Sequence, residues 1–377
     1  MKKKLAIIGA SIVQKPLVLK AKEMGVETHC FAWDKYEKDF LCIEFADYYH
    51  PVSTLDKEKI LEICKELHVD GVTSIANDSC VPTVCYVAEK MGLVGNKYED
   101  SLVSTNKYLM RQAFLKNGVN TPRFVVVEEN ADYSKLTYPL MVKPTDRSGS
   151  IGVFKVEKEE DLADTIERTM QTSIIKQVVV EEFVMGKEVC AECIVWDYEP
   201  YILAITETET MGGPHYSKIA YHEPAYLNAD EQAKVATEVR KALKALNFIC
   251  GPCDIEMMIT DEGVVKVIEV NPRMGGDATE AMVRLSTGYD FLKAAINLAF
   301  GKFEKPVFTL NKYSGIYFLS KETEYLKPII ENSSNDPDIV TAELYDNELH
   351  YLQGIEGRSG YLIYQSSQRR IWKRPVG

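Results

Sequence analysis

The pattern that most restricts the fold lies in the first hundred residues, where short apolar runs alternate with helical stretches. Residues 5–8 form a compact apolar run, followed by a turn at Gly9, Ala10 and Ser11. Residues 16–24 read as a helix ending at Gly25, 26–32 as a strand, 57–67 as a helix, 71–75 as a strand, and 81–91 as a helix closed by Gly92. Strands alternating with helices predict a parallel sheet covered by helices, since a parallel crossover needs a long, compact connection. The turn at Gly9 invites a dinucleotide reading. However, the second and third glycines of that fingerprint are missing, so strand–helix packing explains Gly9 better.

From Ser104 the texture changes. Ser104 or Thr105 is expected to cap a helix carrying Leu109, Ala113 and Phe114 and closed by Gly118. Strands are expected at 123–127, 140–143, 178–182, 189–196 and 202–206, followed by a helix at 230–246. Two further strands, 253–259 and 264–270, flank the turn signal Thr260-Asp261-Glu262-Gly263. After a helix at 290–300 come short strands at 314–319, 342–344 and 360–364. The chain of 377 residues is long enough for two to three domains at about 150 residues each. The expected division is 1–103, 104–303 and 304–377.

Several classes of function are disfavoured. Lys and Arg number 44 against 56 Asp and Glu, a net charge of −12 with no long basic block, so nucleic acid is not an expected partner. The start, Met1-Lys2-Lys3-Lys4 before an apolar run, has a signal-peptide outline. The run is short, though, and meets Gln14, Lys15 and Pro16 without a convincing cleavage site. No stretch approaches the ~18 apolar residues needed to cross a bilayer. Nine thinly spread cysteines suit a reducing compartment better than a disulfide framework, and a cytoplasmic location is expected. Cys190 and Cys193, like Cys250 and Cys253, have a zinc-like spacing. On a strand, residues three apart face opposite ways, so buried thiols are the better reading.

Four constellations point toward phosphate chemistry. In the first, a strand ends at Lys143 and is followed by a Gly- and Ser-rich loop, Ser148, Gly149, Ser150, Ile151 and Gly152. Such a loop lets backbone N–H groups approach phosphate oxygens, with a lysine alongside to meet their charge. The second is the strand pair around 260–263. In the simplest hairpin register Ile259 faces Val264, which sets Asp254 opposite Glu269 with Glu256 nearby, and alternation puts Val265, Val267, Glu269 and Asn271 on one face. Facing carboxylates repel, and a hard cation such as Mg²⁺ would relieve them. Third, Arg273 follows directly, beside Gly275 and Gly276. Fourth, an apolar strand runs into Glu181, Glu182, Phe183 and Val184, with Gly186 and Glu188 beyond. Its extended backbone suits an adenine edge. The polar segment 206–224, with His215 and His222, reads as a glycine-punctuated loop.

The order of these parts resembles the ATP-grasp superfamily, in particular its carboxylate–amine ligases: L-amino-acid (dipeptide) ligases, D-alanine–D-alanine ligase, biotin carboxylase and carbamoyl-phosphate synthetase. The resemblance implies a mixed α/β and α+β fold. Its parts would be an N-terminal Rossmann-like domain, a two-part nucleotide-binding core with a flexible lid at about 113–182, and a strand-rich end domain marked by Arg358-Ser359-Gly360-Tyr361. It implies ATP and Mg²⁺ (or Mn²⁺) as cofactors. Lys107 and Lys143 would grip the nucleotide phosphates under the loop Ser148 to Gly152. Glu181 would accept from the adenine amino group, with Glu182, Phe183 and Val184 along the adenine edge and Glu188 at the ribose. Glu256, Glu269 and Asn271 would hold the metal, with Asp254 competing for the first place. Arg273 and Lys143 would be catalytic, and His222, Gly275 and Gly276 would border the substrates. The implied reaction phosphorylates a carboxylate, of an amino acid for preference, and couples it to an amine, releasing ADP and phosphate, in a chain that pairs as a homodimer. The alternatives are a carbamoyl-phosphate-synthetase-like ligase using bicarbonate or formate, and a catalytically silent ATP-binding sensor.

Overall fold

The computed structural model describes residues 2–33, 41–213 and 216–373. The amino-terminal part runs β1 (Lys4–Ile8), α1 (Lys15–Glu23), β2 (Glu27–Ala32), β3 (Tyr48–Pro51), α2 (Lys57–Leu67), β4 (Gly71–Thr73), α3 (Val81–Met91), α4 (Tyr98–Ser104) and α5 (Lys107–Lys116). Its four strands pair in parallel in the order β3-β2-β1-β4, as the alternation predicts. Both faces of β1 are covered: Leu5 and Ile7 pack toward α1, while Ala6 and Ile8 pack on α2 and α3. That is why the strand is apolar throughout rather than alternating.

A second, smaller layer contains β5 (Phe124–Val126), β6 (Leu140–Pro144), β7 (Phe154–Val156), α6 (Leu162–Thr172) and β8 (Val178–Glu182). Its antiparallel sheet, β5-β8-β6-β7, has its own core of Leu140, Val142, Val156, Leu162, Val178 and Val180. The rest of the chain supplies β9 (Lys187–Trp196), β10 (Glu199–Thr210), β11 (Lys218–Glu223), α7 (Ala229–Ala245), β12 (Gly251–Ile259), β13 (Val265–Asn271), α8 (Thr279–Thr287), α9 (Phe291–Ala299), β14 (Tyr313–Leu319), α10 (Lys327–Glu331), β15 (Ile339–Leu344) and β16 (Gly360–Ser366). These eight strands form one antiparallel sheet, β13-β12-β9-β10-β11-β14-β16-β15. The strands of 304–377 therefore extend the central sheet instead of making one of their own. No described helix is long and apolar enough to cross a membrane.

Three expectations change. The polar segment 206–224 is not loop throughout: β10 reaches Thr210 and pairs with β11. Its run Thr206-Glu207-Thr208-Glu209-Thr210 lacks the apolar alternation by which strands are recognised. The cap of α5 is Asn106, whose side chain accepts from the Leu109 N–H, rather than Ser104 or Thr105, which belong to α4 and its end. Most consequential is the β12–β13 register. Ile259 pairs with Val265, and a bulge shifts the ladder so that Glu256 faces Glu269 and Asp254 faces Asn271. One extra residue reverses the side chains beyond it. Val265 and Val267 thus enter the core with Met257 and Ile259, whereas Glu269 and Asn271 turn to the opposite face.

Candidate active site

The bulge lines up an acidic face across three strands. Asn271, Asp254 and Glu192 are in register on β13, β12 and β9; one row along stand Glu269, Glu256 and Cys190. Cations from other elements meet this face. Lys107, at the first turn of α5, places Nζ 2.8 Å from Glu269 Oε1 and 2.7 Å from the carbonyl of Arg147, the residue that opens the Gly-Ser loop. Lys218 of β11 bridges Glu188 and Glu256, 3.3 Å from each. Arg273 holds Asp78 through Nε and Nη2, at 2.8 and 2.9 Å, and puts Nη1 3.3 Å from Asp254 Oδ2.

A second cluster sits under the small sheet. Glu181, 1% exposed, accepts from Arg111 Nε at 2.6 Å and from Lys143 Nζ at 2.8 Å. Burial by itself would raise this carboxyl, but the charges of Arg111 and Lys143 outweigh it and hold it at about 2. Both terminal nitrogens of Arg111 are buried with no hydrogen-bond partner. Alternation sends Glu182 to the other face, where its carboxylate accepts from Arg123 Nε and the Thr137 N–H, so the structure does not bring that side chain to Lys143. Phe183 lies 5.4 Å from the Tyr216 ring with Lys155 Nζ 4.4 Å above it, and Val184 is half-buried beside it. In the Gly-Ser loop, Gly149, Ser150 and Gly152 take φ of 65°, 61° and 72°. A Cβ on Gly152 would lie 2.1 Å from Thr172 Oγ1, so this glycine is needed for space as well as conformation. Ser148 opens the same turn, and Ile151 at its tip is exposed.

Gly275 carries the backbone close over Glu192: a Cβ there would stand 3.1 Å from Glu192 Oε1 and 2.6 Å from Thr279 Oγ1. Gly276 lies beside Ala76, whose N–H donates to the Met274 carbonyl at 3.1 Å. His222 is a correction. Its ring is fully buried on the side of the sheet facing Tyr317 and Tyr364, with Nδ1 3.1 Å from the Tyr364 hydroxyl and Nε2 3.0 Å from Glu209 Oε1. The preceding residue, Tyr221, points the other way and donates to Asp277. A strand cannot present both neighbours to one site. His215 falls outside the described residues. The nine cysteines are all buried and unbridged, and Cys193 pairs across the ladder with Cys253 while Cys190 faces the acids, so neither Cys-x-x-Cys forms a chelate.

Sequence reading missed Arg111, Asp78, Glu192, Lys218 and the Arg358–Asp277 pair, in which two guanidinium nitrogens lie 2.6 and 3.2 Å from the carboxylate. Only Arg111 carried a local signal: four residues after Lys107, it shares a helix face with it. The others are distant in sequence.

Residues 136–281 match a family described as ATP-grasp domain. The chain is 30% identical over 246 residues to the uncharacterized protein y4rH of Sinorhizobium fredii (strain NBRC 101917 / NGR234), an overlap of 63% of this chain and 50% of that one. It thus spans half the length of that relative, and only 24% of a carbamoyl phosphate synthase large chain that it also matches. Among solved structures, phosphoribosylglycinamide synthetase from Anaerococcus prevotii superposes with a TM-score of 0.77 at 25% identity, covering 98% of this chain and 95% of that one. L-amino acid ligase from Bacillus licheniformis superposes with a TM-score of 0.80 at 21% identity, covering 97% and 94%. Residues 136–281 thus match the ATP-grasp domain family, and the chain as a whole has the ATP-grasp fold.

Proposed function

We propose that this protein is an ATP- and Mg²⁺-dependent ligase that activates a carboxylate as an acyl phosphate and joins it to an amine. The observation that carries the reading is the position of Lys107 Nζ, which joins the Gly-Ser loop at Arg147 to the acid strand at Glu269. One ammonium group thereby links the Gly-Ser loop to the acid strand, two segments far apart in sequence.

The donor set fits both cofactors. Buried guanidinium nitrogens of Arg111 without acceptors suit an anion, and Glu256 facing Glu269 beside Asn271 offers hard oxygens for a divalent ion. Glu256, Glu269 and Asn271 would hold Mg²⁺, with Asp254 adjacent. When bound, the metal supplies charge neutralisation and in-line orientation of the phosphate oxygens. Lys107 and Glu269 neutralise each other in its absence, and a nucleotide tail and a cation would each take one partner of that pair. Lys143, held by Glu181, would be directed at a phosphate. The extended backbone at Phe183 and Val184 would edge the adenine, and Glu188 would accept from the ribose. Arg273, braced by Asp78 and Asp254, would steady the carboxylate and the acyl phosphate made from it. No protein nucleophile is required; positioning and preorganised charge do the chemistry. Nine unbridged thiols are in keeping with a cytoplasmic setting.

The test is ADP release measured across amino acids and small carboxylates with amine acceptors, including formate and bicarbonate. Release should require both co-substrates and fall by about 10²–10³ in Arg273→Ala, the scale for losing a preorganised transition-state donor. ATP binding without turnover, unchanged in Glu269→Gln, would instead identify a sensor.

A further inference from the structure

The acidic face holds one carboxylate that this reaction leaves unused. Glu192 is 3% exposed and its Oε2 has no hydrogen-bond partner; Asp254, its cross-strand neighbour, is 7% exposed with Oδ1 likewise unpartnered. Buried carboxylate oxygens without donors are costly, so a missing donor is implied. The nearby side-chain cations are already committed. Arg273 serves Asp78 and the other oxygen of Asp254, and Lys218 serves Glu188 and Glu256.

Single ligand atoms of Cys190, Glu192 and Asp254 lie within 4.8 Å of one another. A charged N–H···O bond runs about 2.7–2.9 Å, so an ammonium nitrogen at the centre of this triangle would reach the oxygens of Glu192 and Asp254; the Cys190 thiol already donates to Glu192 Oε1, 3.6 Å away. A divalent ion there would bring twice the charge against the Arg273 guanidinium, 3.3 Å from Asp254 Oδ2. Gly275 passes over the Glu192 carboxylate with no room for a side chain. On the far side of Asp254, in the same row, stands Asn271.

We infer that Glu192, with Asp254, binds the ammonium group of the substrate whose carboxylate lies toward Arg273, which makes that substrate an amino acid. The inference rests on the ligase reading above. The bound amine is the non-reacting one, because an ammonium group has no lone pair with which to attack an acyl phosphate. Glu192 is therefore a specificity-determining residue.

Calorimetric titration tests this with the full chain, Mg²⁺ and a non-hydrolysable ATP analogue. The probes are the standard L-amino acids, each matched with the carboxylic acid that lacks its α-amine. At least one amino acid is expected to bind at least about tenfold more tightly than its des-amino partner. Glu192→Gln, nearly identical in shape, should erase that preference, and Glu192→Asp should keep part of it; thermal melts establish that both variants fold. Amino-acid binding unchanged in Glu192→Gln, equal binding of the des-amino acids, or no amino-acid binding to the wild type would each overturn the inference. So would Mn²⁺ bound to the wild type without nucleotide and lost in Glu192→Gln, detected by electron paramagnetic resonance. Binding of the ATP analogue, read separately, distinguishes the two claims. Its absence from the wild type defeats the ligase reading, whereas its presence with no amine preference defeats only the role of Glu192.

Discussion

Glu223 illustrates what burial does to a single group without a cation. It sits at the end of β11 with Thr206 and Ser286 hydroxyls donating to it, and burial pushes its carboxyl up to about 7 from 4.5. An acid raised in this way contributes its full stability below the unfolded value and loses it as pH climbs through the folded one. Glu223→Gln carries no charge at any pH. Relative to wild type, it should therefore gain stability between about pH 5 and about pH 8, by up to about 3 kcal/mol. Thermal melts across that range check this, and a constant difference between the two proteins would contradict it. Glu181 is the opposite case, equally buried but flanked by Arg111 and Lys143. Its stabilising contribution is present above the usual carboxylate range and is lost only as pH falls toward about 2.

At the scale of the element, α5 couples helix formation to the site. Its cap Asn106 accepts the Leu109 N–H at 3.0 Å, and Lys107, the residue that joins loop to acid strand, is the first helical position. Asn106→Ala should cost about 1 kcal/mol, read as a lower urea midpoint, and should weaken ATP binding by loosening the base of Lys107. Asn106→Asp, which keeps the acceptor, should restore both; failure of restoration would mean that Asn106 acts otherwise than as a cap. The helix is legible in the sequence as an amphipathic run closed by Gly118. Its true start was not, because Ser104, Thr105 and Asn106 are all competent caps and only packing of α4 selects among them. The bulge in β13 is similarly silent: Val264 to Asn271 reads as regular alternation, and nothing local marks the residue at which the face reverses.

Across the whole molecule, one of the ties between the amino-terminal unit and the rest of the chain lies just beyond the acid strand. Arg273 reaches Asp78, and the backbone of Ala76 bonds that of Met274. Asp78→Asn would leave the guanidinium with Asp254 as its one charged partner of the two, at a cost of about 1.5–3 kcal/mol, the scale for a hydrogen bond to a charged group. The expected result is faster hydrogen exchange in residues 74–80 and 272–276 with little change in α7. Uniform protection in the variant would show that other contacts hold the units together. The carboxy-terminal strands act at this scale too, since β14 joins β11 edge to edge and Arg358 reaches back to Asp277.

By itself the sequence determined the parallel amino-terminal sheet, the Gly-Ser loop, the acidic strand and the ATP-grasp order of motifs. Each is local: apolar period, glycine content and residue spacing act over a few neighbours. Tertiary structure alone decided which side chains share the site. Glu192, Asp254 and Asn271 come from three strands, and their alignment depends on a bulge and two ladder registers set by core packing. The side chains of His222 and Glu182 turn away from the acid face and from Lys143 for the same reason, because a strand must turn alternate residues away and the core selects which.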